Sequence, residues 1–154
     1  MYLYLLLFHS LIRWLVILFM LVALFKSWDG LLKGRVFSKT DDRVRHWTAT
    51  VAHLQMMIGI VLYAKSPVVN HYWSGAEPAG QGSGASFFPL IHLLLMLIAI
   101  VVLTIGSAKA KRMLTDHDKF KTMAIWFTIS IILIMIAIPW PFSPLSQRPF
   151  IRTF

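Results

Sequence analysis

The sequence predicts an all-α integral membrane protein: an up-down-up-down four-helix bundle with both termini outside and its basic loops in the cytoplasm. Three observations carry this. The chain of 154 residues is 58% hydrophobic and only 14% charged, with a mean hydropathy of +0.71, whereas a soluble domain carries roughly a quarter charged residues. Four apolar runs, 2–25, 44–63, 87–108 and 120–139, each have close to the ~20 residues that cross a bilayer as a helix. They lack two-residue alternation and are too few to close a barrel, which excludes strands.

The helices are expected at about 2–25, 42–64, 87–108 and 118–138, in one transmembrane domain spanning 1–154. The first has no basic segment before it and no small-residue cleavage site, so it is expected to be retained. The second opens with TDDRVRHW, where Thr40 can cap and Asp41 and Asp42 sit in the first turn. The fourth opens with TDHDKFKTM, where Thr115 caps ahead of Asp116 and Asp118. A cap hydroxyl accepts an orphan backbone N–H, and acids complement the positive end of the helix dipole. The recurrence hints at two related hairpins. Between them the outer loop 65–86 is rich in Gly, Pro and Ser, with an aromatic patch His71-Tyr72-Trp73 suited to the headgroup zone. The Pro-rich tail 139–154 cannot be helical for long and is expected along the outer surface.

The net charge of +9 reads as a topology signal. Lys26, Lys33, Arg35, Lys39, Arg43 and Arg45 lie between the first two runs, and Lys109, Lys111, Arg112, Lys119 and Lys121 between the last two. The other side holds Lys65, Arg148 and Arg152. The positive-inside rule makes both basic loops cytoplasmic. Attraction to anionic headgroups follows, and a nucleic-acid partner does not. With no cysteine, disulfides and thiolate ligands are absent. There is no serine-histidine-acid set, no phosphate loop, and no buried acid for metal hydrolysis.

Depth sorts the polar residues. His9 and His92 fall about 5 Å inside the outer boundary, Arg13 about 10 Å, and His53 and Gln55 roughly 15–18 Å, near the midplane. No Asp or Glu lies within the four runs, so the Arg13 charge must be offset by helix carbonyls, snorkelling, another subunit's carboxylate or an anionic ligand. His9 and His92 sit on the first and third helices, which are diagonal in such a bundle. Either they reach interfacial water, or they face one another as axial ligands of a haem iron, with Arg13 on the same face for a propionate. Gly59 and the small Ala52 would give a flat ring room. His53 and Gln55 diverge by ~200° on a helix, so one serves the site and the other bonds a neighbouring helix. His53 is favoured for the site, as an alternate ligand or a quinone hydrogen-bonding group.

HSLIRW at 9–14, AHLQMMIGIVLY at 52–63, PLIH ending at His92 with MLIAI after it, and IPWPF at 138–142 together resemble a family of small four-helix bacterial membrane proteins labelled cytochrome b-like. A more distant similarity links them to the four-helix cores of cytochrome b561-type proteins. The resemblance implies a bacterial inner-membrane protein, with haem b or a quinone held by His9, Arg13, His53, Gln55 and His92. The chain departs from the cytochrome b561 pattern in lacking an inner-side histidine pair, which limits it to one haem near the outer face. Two functions are expected: an electron carrier or haem- or quinone-binding subunit of a respiratory assembly, or a cofactor-free accessory subunit of a larger membrane complex. Both make it an electron-transfer or accessory subunit rather than a stand-alone enzyme, with lipid and other subunits as partners.

Overall fold

The computed structural model describes residues 1–75 and 86–141, and every regular element among them is helical. Helix α1 spans Tyr2–Lys33, α2 Lys39–Lys65, the short α3 Pro67–Trp73, α4 Leu93–Arg112 and α5 Asp116–Ala137, with a π-helical entry to α4 at Phe87–His92. Among the described residues, four stretches are long and apolar enough to cross a membrane: α1, α2, α5, and the π segment joined to α4.

The helices run further at the basic end than the apolar runs alone predict. The 32 residues of α1 span ~48 Å, past the ~30 Å hydrocarbon core. Its last two turns are held by side chains: Asp29 pairs with Lys33 one turn on and with Arg35 Nε at 2.9 Å. Gly34 then ends the helix at φ 62°, returning its N–H to the Gly30 carbonyl, the left-handed stop that glycine adopts without a Cβ penalty. The cap of α2 is Ser38 and not Thr40, because Ser38 and Asp41 form a reciprocal capping box. Thr115 caps α5 as expected.

Asp41 does more than complement a dipole. Its side chain is only 1% exposed, and it draws in Lys26 Nζ at 2.9 Å and Arg35 Nη1 at 3.6 Å, which ties α1, its link and α2 together at the basic end of the first hairpin. Arg45, also buried, donates to the Ser107 hydroxyl at 2.7 Å and carbonyl at 3.1 Å and pairs with Asp42, joining α2 to α4.

Part of the expected outer loop is also helical. Ser66 caps α3 with Pro67 at its first position, a start signal that loop-like composition hides. The rest of the expected outer loop, 76–85, and the expected surface tail beyond 141 lie outside the described residues.

Helix α1 packs on α2 and α5, and α4 packs on α5 and α2. The ring order is therefore α1–α2–α4–α5, with α1 and α4 on the diagonal. Neighbours run antiparallel: Lys26 meets Asp41 at one end of the first hairpin, and Gln55 reaches the His9 carbonyl at the other. The core is narrow, with Ala23, Ala52, Ala99 and Ala110 fully buried beside Met20, Leu103 and Phe127. Large apolar side chains point outward instead, Phe25 73% and Leu18 56% exposed on α1, and Val101 55% and Ile132 53% on α4 and α5. Such a surface suits lipid. In lipid, close packing of small residues and interhelical hydrogen bonds replace the hydrophobic drive between helices. Ser130 Oγ donates to the Ala99 carbonyl at 2.9 Å, and Trp28 Nε1 to Thr128 Oγ1 at 3.3 Å.

Candidate functional site

At the end opposite the ion cluster, His9 of α1 and His92 of the π segment face each other across the bundle. Their ring centres are 6.4 Å apart and their planes cross at 71°. Each ring is positioned by its own helix and a neighbour. His92 Nδ1 lies 2.8 Å from the Ala137 carbonyl of α5. A carbonyl only accepts, so Nδ1 carries the hydrogen, and an uncharged ring keeps its lone pair on Nε2.

The π segment delivers His92. Pro89, in its first turn, has no N–H to lose there, and the freed register is pinned from α2: Tyr63 donates to the Pro89 carbonyl at 3.2 Å, while Trp73 Nε1 of α3 donates to Tyr63 at 3.0 Å. Phe87 and Phe88 follow the same turn and pack near His92, with ring centres 5.9 and 6.0 Å away. π-helical turns cluster at functional sites.

His9 rests on α2. A Cβ at Gly59 would stand 3.3 Å from His9 Cε1 and 3.8 Å from Nδ1, so the room that Gly59 leaves is taken by the imidazole itself. One turn earlier, Gln55 Nε2 donates to the His9 backbone carbonyl at 2.8 Å. Two buried polar atoms here have no hydrogen-bond partner among the described residues, His9 Nδ1 and Gln55 Oε1. The Arg13 guanidinium lies within electrostatic reach of both imidazoles, one turn along α1, over the Trp14 ring at 5.3 Å.

His53 lies elsewhere. Its Nε2 is 3.0 Å from Thr104 Oγ1, and the Thr104 hydroxyl spends its hydrogen on the Ile100 carbonyl at 2.6 Å. Thr104 can then only accept, so His53 Nε2–H donates to it. The pair sits on the outward-facing seam of α2 and α4. Gln55 turns to the histidine pair, level with the His9 carbonyl rather than a turn or more deeper as residue counting suggests, and His53 bonds the neighbouring helix, the reverse of the favoured expectation. The structure thus brings together His9, Arg13, Gln55 and His92, and sets His53 apart. Sequence reasoning missed Tyr63, Trp73 and Ala137, which hold the site through hydroxyl, indole and main-chain groups that no motif advertises.

No cluster of three or more His, Asp or Glu side chains that could hold a metal ion occurs among the described residues. At 6.4 Å and 71° the two imidazoles meet edge to face. Comparison with protein-family models, curated proteins and solved structures returns no match.

Proposed function

We propose that the chain is a membrane-embedded electron-transfer subunit that holds one b-type haem between His9 and His92. In this reading the histidine end faces outward across a bacterial inner membrane and the basic end meets the cytoplasm. The carrying observation is the opposed imidazole pair at 6.4 Å, with His92 anchored through Nδ1 to Ala137 so that Nε2 is left to ligate. Arg13 supplies a cation for a propionate, and Phe87 and Phe88 exclude water. The haem iron would exchange single electrons; the chain orients it and sets its surroundings. A quinone at the same place is the close variant: a quinol's two hydroxyls would meet His9 Nδ1 and Gln55 Oε1, the two atoms without partners among the described residues.

The test is an optical spectrum of the purified protein, oxidised and then reduced with dithionite. A Soret band with sharp reduced α and β bands, lost in His9→Leu and His92→Leu while helicity persists, supports the proposal. A colourless, folded protein prepared with excess haem rejects it.

One further observation favours the accessory-subunit reading. Gln55, His53 and His92 each already bond a neighbouring helix, as structural polar residues would. Leucine at His9 or His92 separates the two: intact assembly and activity of the parent complex would leave the histidines as packing groups.

A further inference from the structure

At the basic end, a cleft of about 300 Å³ opens between the α1–α2 link, the end of α4 and the start of α5. Its wall carries Lys39, Lys111 and Lys119 from three different helices, with Asp42, Ser38 and Phe37 beside them. The charges do not balance. Asp42 is already spent on Arg45 at 2.8 Å, and Lys119 makes only a long pair with Asp116 at 3.7 Å while lying over the Phe37 ring. Lys39 and Lys111 make no ion pair among the described residues. The neighbouring cations Lys26, Lys33 and Arg35 pair with Asp29 and Asp41, and the cleft is where unneutralised lysines from three helices converge on one cavity.

Depth says which anion. The apolar runs end at 108 on α4 and begin at 44 on α2 and 120 on α5. At ~1.5 Å per residue, Lys119, Lys111 and Lys39 lie about 1.5, 4.5 and 7.5 Å beyond them. The headgroup layer on each side of the hydrocarbon is about 5–7 Å thick. Lys119 and Lys111 therefore fall within the headgroup layer and Lys39 at its outer edge, and Phe37 offers an apolar wall. The volume stands at the lower edge of ligand-sized clefts, ~300–1,000 Å³, enough for a headgroup.

We propose that this cleft is a binding site for the phosphodiester headgroup of an anionic membrane lipid, clasped by Lys39, Lys111 and Lys119. Basic pockets between helix ends recognise such headgroups. The site is independent of any cofactor at the histidine end.

The test uses the full chain in neutral detergent, with phosphatidylglycerol or phosphatidylcholine titrated in and bound lipid counted by native mass spectrometry. Wild type should retain phosphatidylglycerol selectively. A lysine near an anionic surface is worth about fivefold in affinity, so Lys39→Gln with Lys111→Gln should weaken retention about 25-fold. Arg112→Gln with Lys121→Gln removes the same charge outside the cleft and should cost much less. Arginine at both 39 and 111 should restore binding, which guards against a misfolded glutamine variant. Equal loss in both glutamine pairs, or no preference over phosphatidylcholine, overturns the site. Displacement of the lipid by millimolar glycerol phosphate or inorganic phosphate would make it a soluble-anion site and overturns the lipid assignment.

Discussion

Replacing Asp41 with asparagine removes one charge from a nearly fully buried position while keeping the shape of the side chain. The carboxylate takes hydrogen bonds from Ser38 Oγ at 2.6 Å and the Ser38 N–H at 2.9 Å, and the Lys26 ammonium stands at 2.9 Å. Breaking a fully buried ion pair costs about 3–5 kcal/mol. Here Lys26 and Arg35 are 27% and 33% exposed, so both cations can turn to water and the loss is smaller. Asn keeps the acceptor for the Ser38 N–H, leaving the loss of charge-assisted bonding, about 2 kcal/mol. Alanine also forfeits the capping box, about 1 kcal/mol more. Unfolding the purified protein in mild detergent, followed by helicity, measures both. A double-mutant cycle with Lys26→Met should show at least ~1 kcal/mol of coupling. If Asp41→Asn shifts stability by less than about 0.5 kcal/mol, the cluster is screened by solvent and the hairpin is not held there.

Gly59→Leu drives a side chain into the His9 imidazole. Under the haem proposal, overpacking of about 1–3 kcal/mol should weaken haem retention roughly ten- to a hundredfold with helicity unchanged, read from titration of haem into the purified protein; wild-type retention would refute the contact. Gln55→Leu deletes an interhelical bond worth ~0.6 kcal/mol together with the buried Oε1, so stability should move by less than about 1 kcal/mol. Any large change in quinone binding by that variant, measured by displacement of a fluorescent analogue, would mark Gln55 as a ligand contact. Tyr63→Phe breaks the Trp73–Tyr63–Pro89 relay at about 1 kcal/mol, so amide exchange over 86–92 should quicken about fivefold; unchanged exchange would mean the π segment holds itself.

The four spans are legible because each is a long apolar run with no alternative reading. The diagonal placement of His9 and His92 follows from helix order alone, and their matched depth follows from counting residues. What the sequence hides are the ends. Residues 26–33 look like loop because they are charged, yet Asp29, Lys33 and Arg35 pair with one another and keep α1 wound to Gly34. Thr40 and Ser38 are equally good caps on paper; the capping box with Asp41 decides for Ser38. His53 and Gln55 diverge as their spacing demands, but which one turns to α1 depends on packing. Thr104 supplies His53 with a partner from another helix, and no local pattern announces it.

The histidine pair has a consequence for biogenesis. His9 belongs to the first hairpin and His92 to the second, and each hairpin has its own internal ties. The first closes through Lys26 and Asp41, the second through Ser130 and the Ala99 carbonyl. A nascent chain can therefore complete the α1–α2 unit in the membrane while α4 and α5 are still being synthesised. The opposed imidazoles do not exist at that stage; they come into being only when the two units dock. Any molecule that sits between them must enter last, or must wait in the bilayer and draw the halves together.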